Sequence, residues 1–336
     1  MYDVGQRICF CEQNSKMSRN DEPRLMAKVA RMYYVQSIGQ TAIKERLNIH
    51  QSTVSRLLKR AHKAGIVKIS VTAPKGVHSD MEEALEQRFE LKEAIVVDSV
   101  NNEEQIVRDL GAAGAYFLEM AIKPGEVLGI SSWSAALLAM VDAMHPSKVG
   151  ANSKVLQILG GLGSPNAQTH ATQLTQRLAE LVGGIPVLLP APGITTSPDA
   201  RRVLMRESYV RAATSMFDSL DLALVGIGAI EPSRFLVSSG NVFSPQELKT
   251  LQKLGAVGDI CLQFFDAEGA PVRTALSERV IGISLQQLKK SKRVVGIAGG
   301  KRKTGAILGA LHGRWIDVLI TDRWTATSLL DSPPHA

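Results

Sequence analysis

Residues 39–60 read Gly-Gln-Thr-Ala-Ile-Lys-Glu-Arg-Leu-Asn-Ile-His-Gln-Ser-Thr-Val-Ser-Arg-Leu-Leu-Lys-Arg, and their pattern is that of two short helices joined by a tight turn. Ile43 and Leu47 stand four residues apart, as a buried stripe on the first helix requires. Asn48 falls where the turn needs a left-handed backbone, which asparagine adopts at little cost. In the second helix Val54, Leu57 and Leu58 sit at i, i+3 and i+4 for the core. That leaves Gln51, Ser52, Thr53, Ser55, Arg56, Lys59 and Arg60 on the outer face. Short polar side chains at the start, with cations further along, suit a helix that enters the major groove of DNA by its N-terminal end. Gln51 is suited to an adenine edge, Arg56 to a guanine or a phosphate, and Lys59 and Arg60 to the backbone.

A solvated amphipathic hairpin shows the same spacing, so charge must separate the two readings. Residues 1–75 hold 14 Lys and Arg against 5 Asp and Glu, while the remaining residues hold 25 against 27. The net +7 of the chain is therefore a basic N-terminal segment joined to a nearly neutral body, the asymmetry expected of phosphate binding.

With 336 residues, the chain can hold one small and one large domain, each with its own core. A hydrophobic content of 45% with 21% charged residues is ordinary for a soluble globular protein. Cys9, Cys11 and Cys261 are too few and too scattered for a disulfide framework or a zinc site, so they read as reduced thiols of a cytoplasmic protein with no metal or cofactor. No apolar run reaches the roughly 18 residues of a membrane span, and the first 20 residues lack a signal-peptide core. Residues 1–21 and the tail 331–336 are expected to be disordered.

Along the chain, residues 22–37 predict a helix with Leu25, Val29, Met32 and Tyr33 on its apolar face. Together with the hairpin, it makes a three-helix unit, and residues 66–71 alternate as a short strand. The DNA-binding domain is thus placed at 22–72, a linker at 73–80, and the larger domain at 81–330. Beyond the linker, apolar runs occur at 94–97, 127–130, 155–159, 187–189, 222–227, 260–265, 280–283, 294–298 and 318–320. Helical stretches at 103–122, 134–144, 168–182, 198–218, 246–254 and 304–312 lie between most of them. Such alternation indicates an α/β domain with a mostly parallel sheet covered on both faces. Ligands of such sheets bind at the carboxyl ends of the strands. Here those ends carry Ser131–Ser134, Gly160–Gly163, Gly226–Gly228 and Gly299–Lys303, the last with a basic tail suited to an anion.

Taken together, the ordered blocks from Leu25 to Leu330 resemble the SorC/DeoR-type sugar-binding transcriptional regulators. The resemblance rests on Val29–Tyr34, Gln40, Val54–Ala61 and Ala64–Val67, and on Leu189–Pro192, Leu222–Ala229, Gly255–Ile260, Gly296–Gly300 with Lys303, and Leu319–Asp322. It adds Gln40 to the DNA-contacting set. It also implies an effector domain similar to the sugar-phosphate isomerase and deaminase fold, used for sensing rather than turnover. Carried over by position, the effector residues are Ser131, Ser132, Trp133, Ser134, Gly160, Gly161, Gly226, Gly228, Asp259, Gly300 and Lys303. Lys303 would hold a phosphate or other anion, and Asp259 would accept hydrogen bonds from sugar hydroxyls. The implied partners are operator double-stranded DNA, a sugar, polyol or sugar-phosphate effector, and the chain itself as a dimer or tetramer.

Three departures stand out. Ser132-Trp133-Ser134-Ala135 replaces the family's Trp-Gly-X-Thr, which opens the site to an unphosphorylated sugar or polyol. Lys44 occupies a usually small position and must reach outward, and His50 stands where a serine cap is usual. The rival reading is an isomerase or deaminase on the same fold, with His170 and Asp259 as acid–base candidates. It leaves the basic helix-turn-helix without a purpose.

Overall fold

The computed structural model describes residues 21–69, 74, 76–161, 165–231 and 244–333. The expected disorder of residues 1–20 and 334–336 lies outside them, as do Cys9 and Cys11. The chain forms two compact units, Met1–Thr72 and Ala73–Ala336.

In the N-terminal unit, α1 (Asp21–Ala30) runs into a π-helical turn at Arg31–Val35, followed by α2 (Gln40–Leu47) and α3 (Gln51–Lys63). One cluster holds it together: Met26, Val29, Ala30 and Met32 from the first element, Ile43 from α2, and Val54, Leu57, Leu58 and Ala61 from α3. Asn48 adopts φ 51°, ψ 47°, the left-handed turn read from the sequence. His50 opens α3 without a side-chain cap, and Lys44 is exposed. The first helix departs from expectation. It ends as α-helix at Ala30, where the Gln36 N–H reaches back to the Arg31 carbonyl at 3.0 Å. This wider turn leaves Tyr33 at the surface and gives Met26 its place in the core. Residues 66–69, the described part of the expected strand, form no strand, and among the described residues no strand of this unit is there to pair with them.

The larger unit begins with α4 (Ser79–Phe89), so the helix starts inside the segment assigned to the linker. Then come β1 (Glu93–Val97), α5 (Glu103–Ala121), β2 (Val127–Ile130), α6 (Ala135–Ala143), β3 (Lys154–Gln157), α7 (Pro165–Val182) and β4 (Ile185–Val187). The second half holds α8 (Pro198–Leu204), α9 (Ser208–Thr214), β5 (Leu222–Val225), β6 (Gly228–Ala229), α10 (Pro245–Lys253), β7 (Ala256–Ile260) and β8 (Gln263–Asp266). It ends with α11 (Leu285–Leu288), β9 (Arg293–Ile297), α12 (Thr304–His312), β10 (Val318–Asp322) and α13 (Arg323–Leu330). Seven strands form a sheet in the order β1-β10-β9-β5-β2-β3-β4, every pair parallel.

Alternate side chains of these strands enter two separate cores, which is why the strands read as near-continuous apolar runs. Ala223, Val225, Val294 and Leu319 pack with α9, α12 and α13. Leu222, Leu224, Val295 and Ile320 pack with α5, α6 and α7 on the other face. Ser244 and Glu247 close a reciprocal capping box at the start of α10, with Glu247 N–H donating to Ser244 Oγ at 3.2 Å.

Four expectations fail here. The run 260–265 is not one strand: β7 and β8 pair antiparallel, and the chain reverses at Cys261-Leu262, both in the left-handed region with φ 53° and 62°. The run 280–283 forms only isolated bridges, Val280 to Ile194 and Gly282 to Leu159, so it is a buried connection rather than a strand. The stretch 198–218 breaks between Leu204 and Ser208, because α9 buries Val210 and Ala213 whereas α8 buries nothing. In the tail, Asp331–Pro333 is held: the Arg88 guanidinium donates to the carbonyls of Leu330, Ser332 and Pro333.

Candidate functional site

The outer face of α3 presents Gln51, Ser52, Arg56, Lys59 and Arg60 as exposed side chains, with Thr53 and Ser55 half-buried beside them. Gln40 opens α2 and is half-buried. Burial of Val54, Leu57 and Leu58 against α1 and α2 fixes which side of α3 faces out. Arg56 leans on the Thr53 hydroxyl at 3.5 Å. Arg60 is engaged by Glu22 of α1, so one of the two cations assigned to the DNA backbone is already paired within the unit.

In the larger unit, loops at the carboxyl ends of the strands enclose a cavity of about 120 Å³. Ser131, Trp133 and Ser134 reach it from the end of β2, Gly226 and Gly228 from the end of β5, and Asp259 from β7. Lys303 enters from the turn after β9. These residues are scattered over 173 positions of chain; the parallel strands deliver most of them at their carboxyl ends, and the antiparallel β6-β7-β8 sheet adds Asp259.

Asp259 is the acid of the cavity. Its Oδ2 accepts the Leu262 N–H at 2.9 Å, which straps the left-handed Cys261-Leu262 turn, and Gly228 lies so close that a Cβ there would stand 2.2 Å from Oδ1. Burial pushes the carboxyl up to about 6, against the lowering pull of the Leu262 N–H and of Lys303. Burial and the neighbouring Arg302 lower the Lys303 ammonium, while Asp259 and Glu103 pull it the other way. The Cys261 thiol, also at the cavity wall, is pushed up to about 12 by burial and is therefore a packing group rather than a nucleophile. Ser134 caps α6, accepting the Leu137 N–H at 3.3 Å.

Four of the expected effector residues stay outside the cavity. Ser132 is buried behind it, 1% exposed. The Gly160 and Gly161 N–H groups are taken by the carbonyls of Ile281 and Ala191, both at 3.0 Å, and a Cβ on Gly160 would strike the Ala191 carbonyl. These glycines serve close chain packing. The Gly300 N–H is likewise committed, to Asp322 Oδ2 and Thr325 Oγ1, both at 2.8 Å.

Sequence reading missed Glu103, Arg302 and Glu231, which add charge at the wall of the cavity. Arg302 lies 3.5 Å from Glu103 and 3.5 Å from the Glu231 carbonyl. Position next to Lys303 was the only signal for Arg302, and Glu103 gave none beyond opening a helix. His170, the rival acid–base candidate, has a side chain outside the described residues. Among the described residues no cluster of His, Cys, Asp and Glu is set to hold a metal ion, and no helix is long and apolar enough to cross a membrane.

A cavity of this kind, in a chain that also carries a separate basic three-helix unit, agrees with the comparisons to known proteins. Residues 76–331 match the family model described as "Putative sugar-binding domain". The sorbitol operon regulator of Klebsiella pneumoniae is 34% identical over 317 residues, covering 94% of this chain and 100% of that protein. The deoxyribonucleoside regulator of Bacillus subtilis (strain 168) is 33% identical over 312 residues, covering 93% and 98%. Against the crystal structure of the full-length sorbitol operon regulator SorC from Klebsiella pneumoniae, the fold superposes with a TM-score of 0.70 at 33% identity, over 93% of this chain and 100% of that one. These relatives are regulators and not enzymes, which sets aside the isomerase or deaminase reading. The chain belongs to the sugar-binding, SorC-type family of transcriptional regulators, with a sugar-responsive domain attached to its DNA-binding unit.

Proposed function

We propose that this regulator represses a carbohydrate or polyol catabolic operon from the cytoplasm, and that a small sugar, polyol or sugar phosphate in the cavity controls its grip on operator DNA. The observation that carries this reading is the meeting of Asp259 and Lys303, from different loops, in one cavity beside the half-buried Trp133. An acceptor and a cation at close quarters suit a polyhydroxyl ligand, with Trp133 offering a flat face for its C–H surface. Arg302 and Glu103 at the wall extend the same pattern.

On DNA, Gln51 and Arg56 read base edges, Ser52, Thr53, Ser55 and Gln40 position the helix, and Lys59 holds the backbone. Operators of helix-turn-helix proteins are symmetric, so the working form is at least a dimer, held by the larger unit because two copies of the strongly basic N-terminal unit repel each other. Sedimentation of the full chain and of residues 80–336 tests that assignment: a fragment that becomes monomeric while the full chain stays oligomeric overturns it.

A thermal-shift screen of sugars, polyols and their phosphates tests the effector reading, since a ligand in excess of its Kd raises the Tm. Lys303→Ala is expected to abolish the response to an anionic effector, while Asp259→Ala and Trp133→Ala are the damaging changes for a neutral one. Full affinity in all three variants would place the site on other loops.

A further inference from the structure

Asp322 ends β10 with its side chain fully buried, and the cavity does not include it. Its two carboxylate oxygens divide their work. Oδ1 caps α13, accepting the Trp324 and Thr325 N–H groups at 3.0 Å each. Oδ2 accepts the Gly300 N–H at 2.8 Å and the Thr325 hydroxyl at 2.6 Å. The Gly300 N–H is shared with Thr325 Oγ1, so one amide of the Gly299–Lys303 loop is locked by two acceptors of the same element. The loop lies directly on the carboxylate: a Cβ on Gly299 would stand 2.3 Å from Oδ2, and Gly300 turns away at φ 91°. Both glycines are thus explained by Asp322, and the position of Lys303 in the cavity follows from that seat.

The next residue faces a different part of the unit. Arg323 Nε lies 3.3 Å from Asp98 Oδ1, directly after the Val97 that pairs with Asp322 in the sheet. The same oxygen lies 3.6 Å from His78 Nε2, in the residues that lead out of the DNA-binding unit into α4. A Cβ on Gly76, at φ 85°, would meet the Asp98 side chain at 3.8 Å. Trp324 then stacks under the Arg323 guanidinium at 4.3 Å and donates to the Ser99 carbonyl at 3.1 Å. Three consecutive residues at one strand end therefore hold the cavity loop, the incoming linker and the end of β1.

We infer that Asp322 and Arg323 are positioning residues that tie the Gly299–Lys303 loop to residues 76–78, so that a displacement of the loop by a ligand is passed to the linker. The inference rests on the reading that this loop meets the effector. The mechanical reason is short range: Asp322 ends a strand buried on both faces and Arg323 opens α13 directly after it, so neither side chain shifts without disturbing its bonded neighbour. A ligand that draws Lys303 toward itself pulls on the Gly300 amide and hence on Asp322. The response is read where His78 and Arg323 share Asp98.

Hydrogen exchange of the full-length protein, without any effector, tests the tie in both directions. Asp98→Asn removes the shared charge at a half-exposed position that does not line the cavity. It is expected to speed exchange at 76–81 and also at 299–303 by about tenfold. Thr325→Val, which removes one of the two acceptors of the Gly300 amide, is expected to show the reciprocal pattern, with faster exchange at 76–81. Exchange at 222–225 of β5 should stay at the wild-type rate in both variants, which separates a local tie from general destabilisation. Asp98→Asn that alters only 76–81, or Thr325→Val that alters only its own loop, overturns the inference. So does an equal rise at 222–225. A silent thermal-shift screen would instead sink the effector reading while leaving the exchange result as it stands, so the two failures are distinguishable.

Discussion

In the N-terminal unit, the side chains assigned to DNA come almost entirely from the 13 consecutive residues of α3, and one small core decides which way they face. In the larger unit, the cavity draws on six separated segments between Glu103 and Lys303, placed by strand ends and helix starts around the seven-stranded sheet and, for Asp259, by the small antiparallel sheet. The first surface is a property of one helix and exists whenever that helix is packed. The second exists only when the sheet is complete. Damage to the core should therefore act abruptly in the small unit and gradually in the large one, whereas damage to the site should be confined to one residue's task in both.

The largest expected effect is at Ile43, which is 0% exposed in the nine-residue core of the small unit. Ile43→Ala should cost about 2–5 kcal/mol, comparable to all that a core of this size supplies. Residues 21–69 should then become protease-sensitive and DNA binding should vanish, with the melting of the larger unit unchanged. Leu128→Ala, equally buried in the sheet, carries a similar cost but should leave its unit folded. A single shared melting transition in both variants would break the comparison.

Next in size is base recognition. Gln51→Ala should weaken operator binding by roughly 1–3 kcal/mol and relax preference at one base pair, measured by gel shift on operator variants. Unchanged affinity and footprint would remove Gln51 from the interface.

The pH dependence of the cavity sharpens the contrast, because it rests on one buried carboxyl. If the Asp259 carboxylate accepts ligand hydroxyls, ligand affinity should fall by about tenfold per unit once the pH drops below its value of about 6. Stability of the unliganded unit runs the opposite way. With the carboxyl raised above its ordinary 3.8, the stabilising contribution of the protonated form is complete below that value and is lost as the pH rises through about 6. Asp259→Asn should flatten both profiles, by calorimetric titration and by Tm against pH. A slope that survives in Asp259→Asn assigns it to another group.

The smallest effect is electrostatic. Lys59→Ala should lower the slope of log K against log salt by about one unit on any DNA sequence. Arg60→Ala should lower it less, since Glu22 already engages that guanidinium. Equal slopes for the two variants would mean that DNA displaces Glu22.

Much of the small unit could be read directly because its signals are local. Asn48 announced the turn, Ile43 and Val54 announced the buried faces, and only the π-helical turn at Arg31–Val35, which has no sequence signature, moved Tyr33 outward. The large unit was readable at the level of strand and helix alternation. It was not readable where a turn lacked turn residues. Cys261 and Leu262 adopt left-handed backbones with no glycine or asparagine because the Asp259 carboxylate straps them, a contact no local propensity encodes. The glycine loops misled in the same way: Gly160, Gly161 and Gly300 looked like an anion cradle, yet their N–H groups are used by the protein itself.

By itself, the sequence determined which face of the second hairpin helix stays outside the core, the parallel α/β character of the larger unit, and Asp259 and Lys303 as cavity candidates, because periodicity and strand-end position are carried by residues close in the chain. Only the tertiary structure decided which candidates meet in the cavity, that Arg302 and Glu103 join them, that Arg60 is engaged by Glu22, and that Asp322 seats the Gly299–Lys303 loop. Apart from the Arg60–Glu22 pair, which joins α3 to α1, those outcomes depend on which strand ends become neighbours. The order β1-β10-β9-β5-β2-β3-β4 sets those neighbours through packing on both faces of the sheet, across separations that no local pattern spans.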